Sequence, residues 1–414
     1  MPECLPFCGW LYNLEKVRPE EVLAPPYDVV SPEEIEFYKK KSPYNIFHLE
    51  LPENPKKARE LLERFIKEEI FLKNGVPTLY YHELAFEYKG KRYLRKGFIL
   101  LVKLHNFEEG KIIPHEKIYF KVAEERLNLL KETKFQFSQI FGLYEDPSLE
   151  TFKTLPERVN YFLEVTIGKE TQRLAKIQDE DLIKKVLFIL KNKKIYIADG
   201  HHRYTTALNY KAYMESLYGK DDSRDYNYIS MYISPFEDEN LLMLPTNRVY
   251  KISDPQSFFE RIKEFVEIEK EFLASCWEEE IKNFKGESHL FALALGERVY
   301  LCSIKKSFFE KLKEKEPELS KLPLWNFLQI FEEIMKIPEE ALKAEGKVEF
   351  LSQEEEVFKR VKNGYVGIIF PRVSAEILKW VADKGKIMPH KSTYFYPKIH
   401  TGLVLAEVSG KKVK

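Results

Sequence analysis

Five consecutive residues, Asp199-Gly200-His201-His202-Arg203, combine a carboxylate, a permissive backbone position, two imidazoles and a guanidinium. They follow four apolar residues at 195–198 that read as a buried strand. They precede Tyr204, Ala207 and Leu208 at helical spacing. A helix that begins just after a strand end presents backbone N–H groups and the positive end of its dipole. Such a junction suits phosphate or another anion. Gly200 lets a ligand approach the backbone. His201, His202 and Arg203 are donors for phosphate oxygens, the guanidinium bidentately. Asp199 suits Mg²⁺, which takes a carboxylate together with phosphate oxygens and water.

Other constellations are less concentrated. In Pro114-His115-Glu116, the Glu is of the right type for a general base toward a substrate hydroxyl. Asp28 closes a stiff Pro25-Pro26-Tyr27-Asp28 loop, as a site wall or as a turn residue that bonds its own backbone. Thr246-Asn247-Arg248 offers a further Arg, or caps a strand. The aromatic segment 391–398 has basic ends and reads as an edge strand rather than a nucleic-acid strip. Arg126 reads as a salt-bridge partner. His115, Glu116, Asp199, His201 and His202 are metal-ligand types, but the His-Glu-x-x-His and Cys-x-x-Cys spacings are absent. A nucleotide-borne Mg²⁺ is therefore expected ahead of a resident transition metal. No Gly-x-x-x-x-Gly-Lys-Ser/Thr, Gly-x-Gly-x-x-Gly or Gly-x-Ser-x-Gly run occurs, which disfavours a P-loop kinase, a dinucleotide oxidoreductase and an α/β-hydrolase.

The elements that must position these residues alternate. Ser31-Pro32-Glu33-Glu34 is a capping box with Pro at the first helical position. A helix is expected from Asn54-Pro55 to about Lys73, and a hairpin over 79–104 around Lys89-Gly90-Lys91. Helices are expected at 122–134, 179–191 and 201–218, and strands at 140–144, 195–198, 226–234 and 241–244. The second half repeats the alternation: helices near 255–265, 323–335, 354–362 and 375–384, a hairpin over 289–304, and a strand at 365–370. The expected fold class is α/β (α+β) with a mixed sheet and two domains, 1–245 and 246–414. Of the 414 residues, 44% are hydrophobic and 32% charged, and 66 basic residues balance 66 acidic ones. Nothing in that balance draws the chain to nucleic acid or an anionic membrane. No apolar run is long enough to span a bilayer, and the N-terminus lacks the order of a signal peptide. Four scattered cysteines read as free thiols, so a cytoplasmic location is expected. The Lys- and Glu-rich charge resembles thermophile composition.

Together the motifs carry a resemblance. Ala24 through Pro32, Tyr44-Asn45-Ile46, Pro114-His115-Glu116, Ala198 through Arg203, Leu244-Pro245-Thr246 and residues 391–403 resemble the domain-of-unknown-function family numbered 1015. More remotely, an Asp-Gly-His-His-Arg run preceded by a His-Glu pair is similar to free-serine kinases built on the ParB/sulfiredoxin fold. That resemblance implies a ParB/sulfiredoxin-like core over about 75–240 with a second α/β domain. It implies ATP or ADP with Mg²⁺ as cofactors and free L-serine as acceptor. It makes Glu116, Asp199 and His202 the catalytic set, with Glu116 as base and Asp199 nearest the metal. Gly200, His201, His202, Arg203 and His115 would bind phosphate, and Asp28, Arg248 and Lys391 are candidates for substrate. The alternatives are a nucleotide-binding regulatory module of the ParB type and a metal-dependent phosphoesterase.

Overall fold

The computed structural model describes residues 2–116, 120–281 and 287–413. The chain forms two compact units. The first comprises residues 1–114, 118–242 and 397–414; the second comprises 115–117 and 243–396.

The first unit is built on a nine-stranded mixed sheet. Its main path runs Ile112–Ile113, Ile195–Asp199, Ile140–Tyr144, Tyr228–Pro235, Lys91–Lys103, Leu79–Tyr88, Glu170–Ile177 and Tyr161–Ile167, with Cys4–Leu5 beside Lys91–Lys103. The long hairpin turns at Lys89 and Gly90, both at positive φ, as a two-residue turn matched to strand twist requires. One sheet face packs its Phe98, Leu100, Ile140, Ile195, Ile197 and Met231 into the main core, which also takes Val186 and Leu190 of the Glu180–Leu190 helix and Tyr204 and Ala207 of the His201–Tyr218 helix. The helix starts follow the signals read from sequence: Ser31 and Glu34 form the capping box, and Asn54 caps the helix that begins at Pro55.

Two expectations change. The helix beginning at Pro55 ends at Lys67, not near Lys73. Glu69 takes φ 55°, and Phe71–Lys73 pairs as a strand with Trp10–Tyr12. The Tyr161–Ile167 and Glu170–Ile177 hairpin, absent from the sequence reading, extends the sheet at one edge.

The second unit carries a six-stranded antiparallel sheet in the order Val266–Leu273, Arg298–Ile304, Leu290–Leu295, Val366–Ile369, Asn247–Tyr250, Val348–Leu351. Its core joins Phe291 and Leu293 to Phe327, Ile330 and Phe331 of the Pro323–Met335 helix. The Val266–Leu273 strand and the Lys306–Lys315 helix were also unread in the sequence. All four cysteines are free. Among the described residues, no helix is long and apolar enough to cross a membrane.

Candidate functional site

The strand Ile195–Asp199 ends in an irregularity that fixes the site. Tyr196 pairs with Leu143 and Ile197 with Gly142, but Phe141 then faces Asp199, so Ala198 is an extra residue. A bulge re-aims the side chain beyond it. Gly200 follows at φ 96°, and the helix begins at His201. A Cβ at Gly200 would lie 3.0 Å from Nη2 of Arg203, so the missing side chain is also what lets Arg203 fold back over the turn.

Asp199 receives two cations. Arg203 Nη2 donates to its Oδ2 at 2.8 Å, and Lys398 Nζ donates to its Oδ1 at 2.6 Å. Lys398 also donates to Asp28 Oδ2, which brings the Pro-Pro-Tyr-Asp loop to the same point. Burial by itself would raise the Asp199 carboxyl, but Lys398 and Arg203 outweigh it and hold the group far below the usual carboxylate range. Lys398 is affected reciprocally: burial opposes its charge, and Asp199 and Asp28 overcome that and push its ammonium well above the ordinary value. Arg203 Nη1 donates to Ser138 Oγ at 2.9 Å and to the Gln139 carbonyl at 2.6 Å. The guanidinium therefore joins the helix start to the loop before Ile140–Tyr144.

The helix N-terminus carries His201 buried and His202 half-buried; their carbonyls accept from Thr205 Oγ1 and Thr206 Oγ1. Beside Arg203 opens a cavity of about 60 Å³. Glu50, Arg126, Ser138 and Arg203 contribute its polar wall, and Leu130, Phe135 and Ile229 are among its apolar lining. Arg126 Nη1 donates to the Glu50 carbonyl at 2.7 Å and approaches Glu50 Oε1 at 3.4 Å, which makes it the salt-bridge partner expected from sequence. Its guanidinium stacks 4.2 Å from the Tyr27 ring centre. Burial raises the Glu50 carboxyl, and Arg126 and Arg203 counter only part of the rise.

The other candidates fall in the second unit. His115 is buried, its Nε2 3.1 Å from Thr393 Oγ1 and 3.8 Å from Glu116 Oε1. Glu116 Oε1 accepts the Ser392 amide at 3.2 Å, and the Met388 amide donates to the His115 carbonyl at 2.8 Å. The Pro-His-Glu motif is thus anchored on the 388–393 segment. Arg248 is fully buried and donates to Glu339 Oε1, to the Thr246 and Lys391 carbonyls through Nη1, and to the His390 carbonyl through Nη2. These bonds make it a brace for the turn at Lys391, which sits at φ 49°. The structure therefore joins Asp28, Asp199, Gly200, His201, His202 and Arg203 in one unit, and His115, Glu116, Arg248 and Lys391 in the other.

Lys398, Glu50 and Ser138 were missed. Lys398 had one sequence signal, a Lys directly after Pro397 in a run already marked by its aromatics. Glu50 stands between Leu49 and Leu51, a carboxylate among apolar neighbours.

The model of a family described as "Protein of unknown function (DUF1015)" matches residues 4–331. The chain belongs to the DUF1015 family. No curated protein matches this DUF1015 chain in sequence. Among solved structures it is similar to a free serine kinase variant in complex with ADP, at 14% identity and a TM-score of 0.38, over 75% of this chain and 91% of that one. It is also similar to a conserved hypothetical protein from Pyrococcus furiosus, at 15% identity and a TM-score of 0.35, over 74% and 95% of the two chains. A C-terminally truncated SbnI from Staphylococcus aureus aligns at 11% identity and a TM-score of 0.37, over 73% and 85%.

Among the described residues, no group of three or more His, Cys, Asp or Glu is arranged to hold a metal ion. Mg²⁺ carried by a nucleotide needs only one or two protein carboxylates; Asp199 is of that type, but Lys398 and Arg203 hold both of its oxygens, so it would take the ion only by releasing one of them.

Proposed function

We propose that this protein is a nucleotide-dependent phosphotransferase that moves a phosphoryl group from ATP or ADP to the hydroxyl of free L-serine. The observation that carries the reading is the bulged strand end at Asp199, where a glycine-led helix start, a carboxylate, Arg203 and Lys398 converge. Phosphoryl transfer needs alignment and neutralisation of spreading negative charge more than covalent help from the protein. Fixed donors and a helix N-terminus supply that neutralisation.

In this reading the phosphates meet the backbone at Gly200 and the side chains of His201 and His202. Arg203 reaches them by releasing Ser138 or Gln139, or acts through the position it gives Asp199. Asp199 is the carboxylate that would hold nucleotide-borne Mg²⁺, whose chemistry is charge neutralisation on the phosphates. Glu116 keeps the role of base, and His115 that of a phosphate contact, that the motif resemblance implies, and His202 belongs with Glu116 and Asp199 to the catalytic set. With ATP as donor, the terminal P–O bond to ADP breaks and the serine hydroxyl oxygen bonds to phosphorus. The hydroxyl proton passes to the Glu116 carboxylate.

The test is to incubate the protein and Mg²⁺ with ATP or ADP labelled in the terminal phosphate and a panel of amino acids and sugars. Label on serine alone is the expected result. Nucleotide hydrolysis with no phosphorylated acceptor would overturn the reading in favour of a nucleotide-switched regulatory module. Glu116→Gln should lower turnover by about 10²–10⁴-fold and leave ADP affinity unchanged. Full activity in that variant would remove Glu116 from the base role.

A further inference from the structure

The proposed reaction needs a place for the acceptor's carboxylate and ammonium, and of the substrate candidates marked from sequence only Asp28 lies in the first unit, where Lys398 already bonds its carboxylate. The cavity beside Arg203 supplies that place. We propose that this cavity, between Glu50, Arg126, Ser138 and Arg203, is the binding subsite for a small zwitterionic α-amino acid, with Arg126 taking the carboxylate and Glu50 the ammonium. The assignment rests on the phosphotransferase reading for its substrate, and on the cavity's own geometry for its chemistry.

Three observations support it. First, charge: one wall holds a carboxyl and a guanidinium side by side, the complement of an amino acid's two ends. Arg126 uses Nη1 on Glu50, and among the described residues Nε and Nη2 make no hydrogen bond. Those two N–H groups can meet both oxygens of a carboxylate. The Tyr27 ring stacked on the guanidinium fixes its plane. Second, burial: the Glu50 side chain is only 6% exposed. A carboxyl buried so deeply is costly as a lone charge, and it gains most from a cation that arrives with a ligand. Third, position. Arg203 contributes to the cavity wall and donates across to Asp199, so a molecule in the cavity is one guanidinium away from the phosphate site. Leu130, Phe135 and Ile229 are among its apolar lining and would meet the carbon atoms. Thr206 and Ala207 line it from the second turn of the same helix whose first turn bears His201 and His202.

A structural ion pair between Glu50 and Arg126 would leave no selectivity for zwitterions, and the experiment separates the two. Titration calorimetry of the full chain, with and without ADP, uses L-serine and its two halves, ethanolamine and 3-hydroxypropionate. L-serine should bind at least about tenfold more tightly than either half, since each half loses one charged hydrogen-bonded contact. Glu50→Gln should weaken serine at least about tenfold while leaving 3-hydroxypropionate unchanged, and Arg126→Gln should weaken serine while leaving ethanolamine unchanged. ADP affinity should survive in both variants, which also reports that they fold. Serine affinity unchanged in both variants, or halves that bind as well as serine, would overturn the subsite. Failure of ADP to bind the native protein would sink the phosphotransferase reading, while the nucleotide-free serine titration would still decide the cavity.

Discussion

At the residue scale the site is a balance of partly buried charge. Asp199 lies between Lys398 and Arg203, and each cation has a second oxygen to hold, on Asp28 and on Ser138. Removing one member of such a group leaves the others uncompensated, which costs more than the pair itself contributes. Asp199→Asn should therefore lower stability by about 3 kcal/mol in denaturant unfolding and abolish phosphoryl transfer. The carboxyl's folded pKa is depressed, so its stabilising contribution is present above the unfolded value near 3.9 and is lost as pH falls through the folded one. The wild-type minus Asn difference should stay constant from pH 8 to 5 and shrink only in stronger acid. Gly200→Ala probes the turn. At φ 96° a Cβ is strained, and it would also meet Arg203 Nη2 at 3.0 Å. A loss of about 1–2 kcal/mol is expected, with weaker ADP binding, and an unchanged ADP titration would remove Arg203's fold-back from the binding argument. The Asp-Gly-His-His-Arg run was legible because all five residues are contiguous. Lys398 was not, since its partners lie 199 and 370 positions away and sequence pattern names no partner.

At the element scale, local signals read well and non-local ones did not. The Ser31 cap, the Asn54-Pro55 helix start and the Lys89-Gly90 turn are chemistry within a few residues, and each forms. The Val266–Leu273 strand is half charged and mostly exposed, and its apolar–polar alternation breaks at Lys270, where the register also shifts, so pairing with Arg298–Ile304 is what makes it a strand. The same limit hid the polar row on the other face of the first sheet. Register and alternation place His82, Arg95, Gln172 and Tyr232 on the face shared with Phe141 and Asp199. His82 Nε2 donates to Gln172 Oε1 at 2.6 Å, and burial lowers its imidazole to about 3; burial alone lowers His400 to about 4. These two rings stay neutral when folded but take up protons when unfolded below about pH 6.5. Stability from them is complete above that value and falls as the pH drops toward 4, by about 1.4 kcal/mol per pH unit for each ring. His82→Gln should flatten the unfolding free energy against pH over 6.5 to 4 by close to one proton, read by urea titrations. An unchanged slope would mean that His82 is protonated in the folded protein.

At the scale of the whole chain, the units do not follow a single cut. A contiguous division at 245 assigns residues 397–414 to the C-terminal part, whereas the structure places them in the first unit and places 115–117 in the second. Composition offers no linker at either crossing, so a sequence has nothing with which to mark them. Yet the C-terminal segment is bound throughout the first unit. Thr401 donates to the Ala24 carbonyl, Leu405 exchanges both backbone bonds with Trp10, Ala406 pairs with Gln136, and Val408 donates to the Lys134 carbonyl. Leu403, Val404, Leu405 and Val408 are all buried there. Burial of four such side chains contributes about 6–12 kcal/mol, comparable to the whole stability of a typical domain. The segment also supplies Lys398 to Asp28 and Asp199, so one stretch of chain completes both the core and the site. Deleting residues 397–414 should therefore unfold the first unit and leave the second with its own core. Limited proteolysis of the truncated protein, with fragments identified by mass, should show cleavage throughout 1–242 and a protected fragment within 243–396. Protection of 1–242 in the truncated chain would mean that the N-terminal sheet is stable without its C-terminal strap, and Lys398→Met, which keeps the strap but loses its ammonium, would then isolate the contribution of the charge.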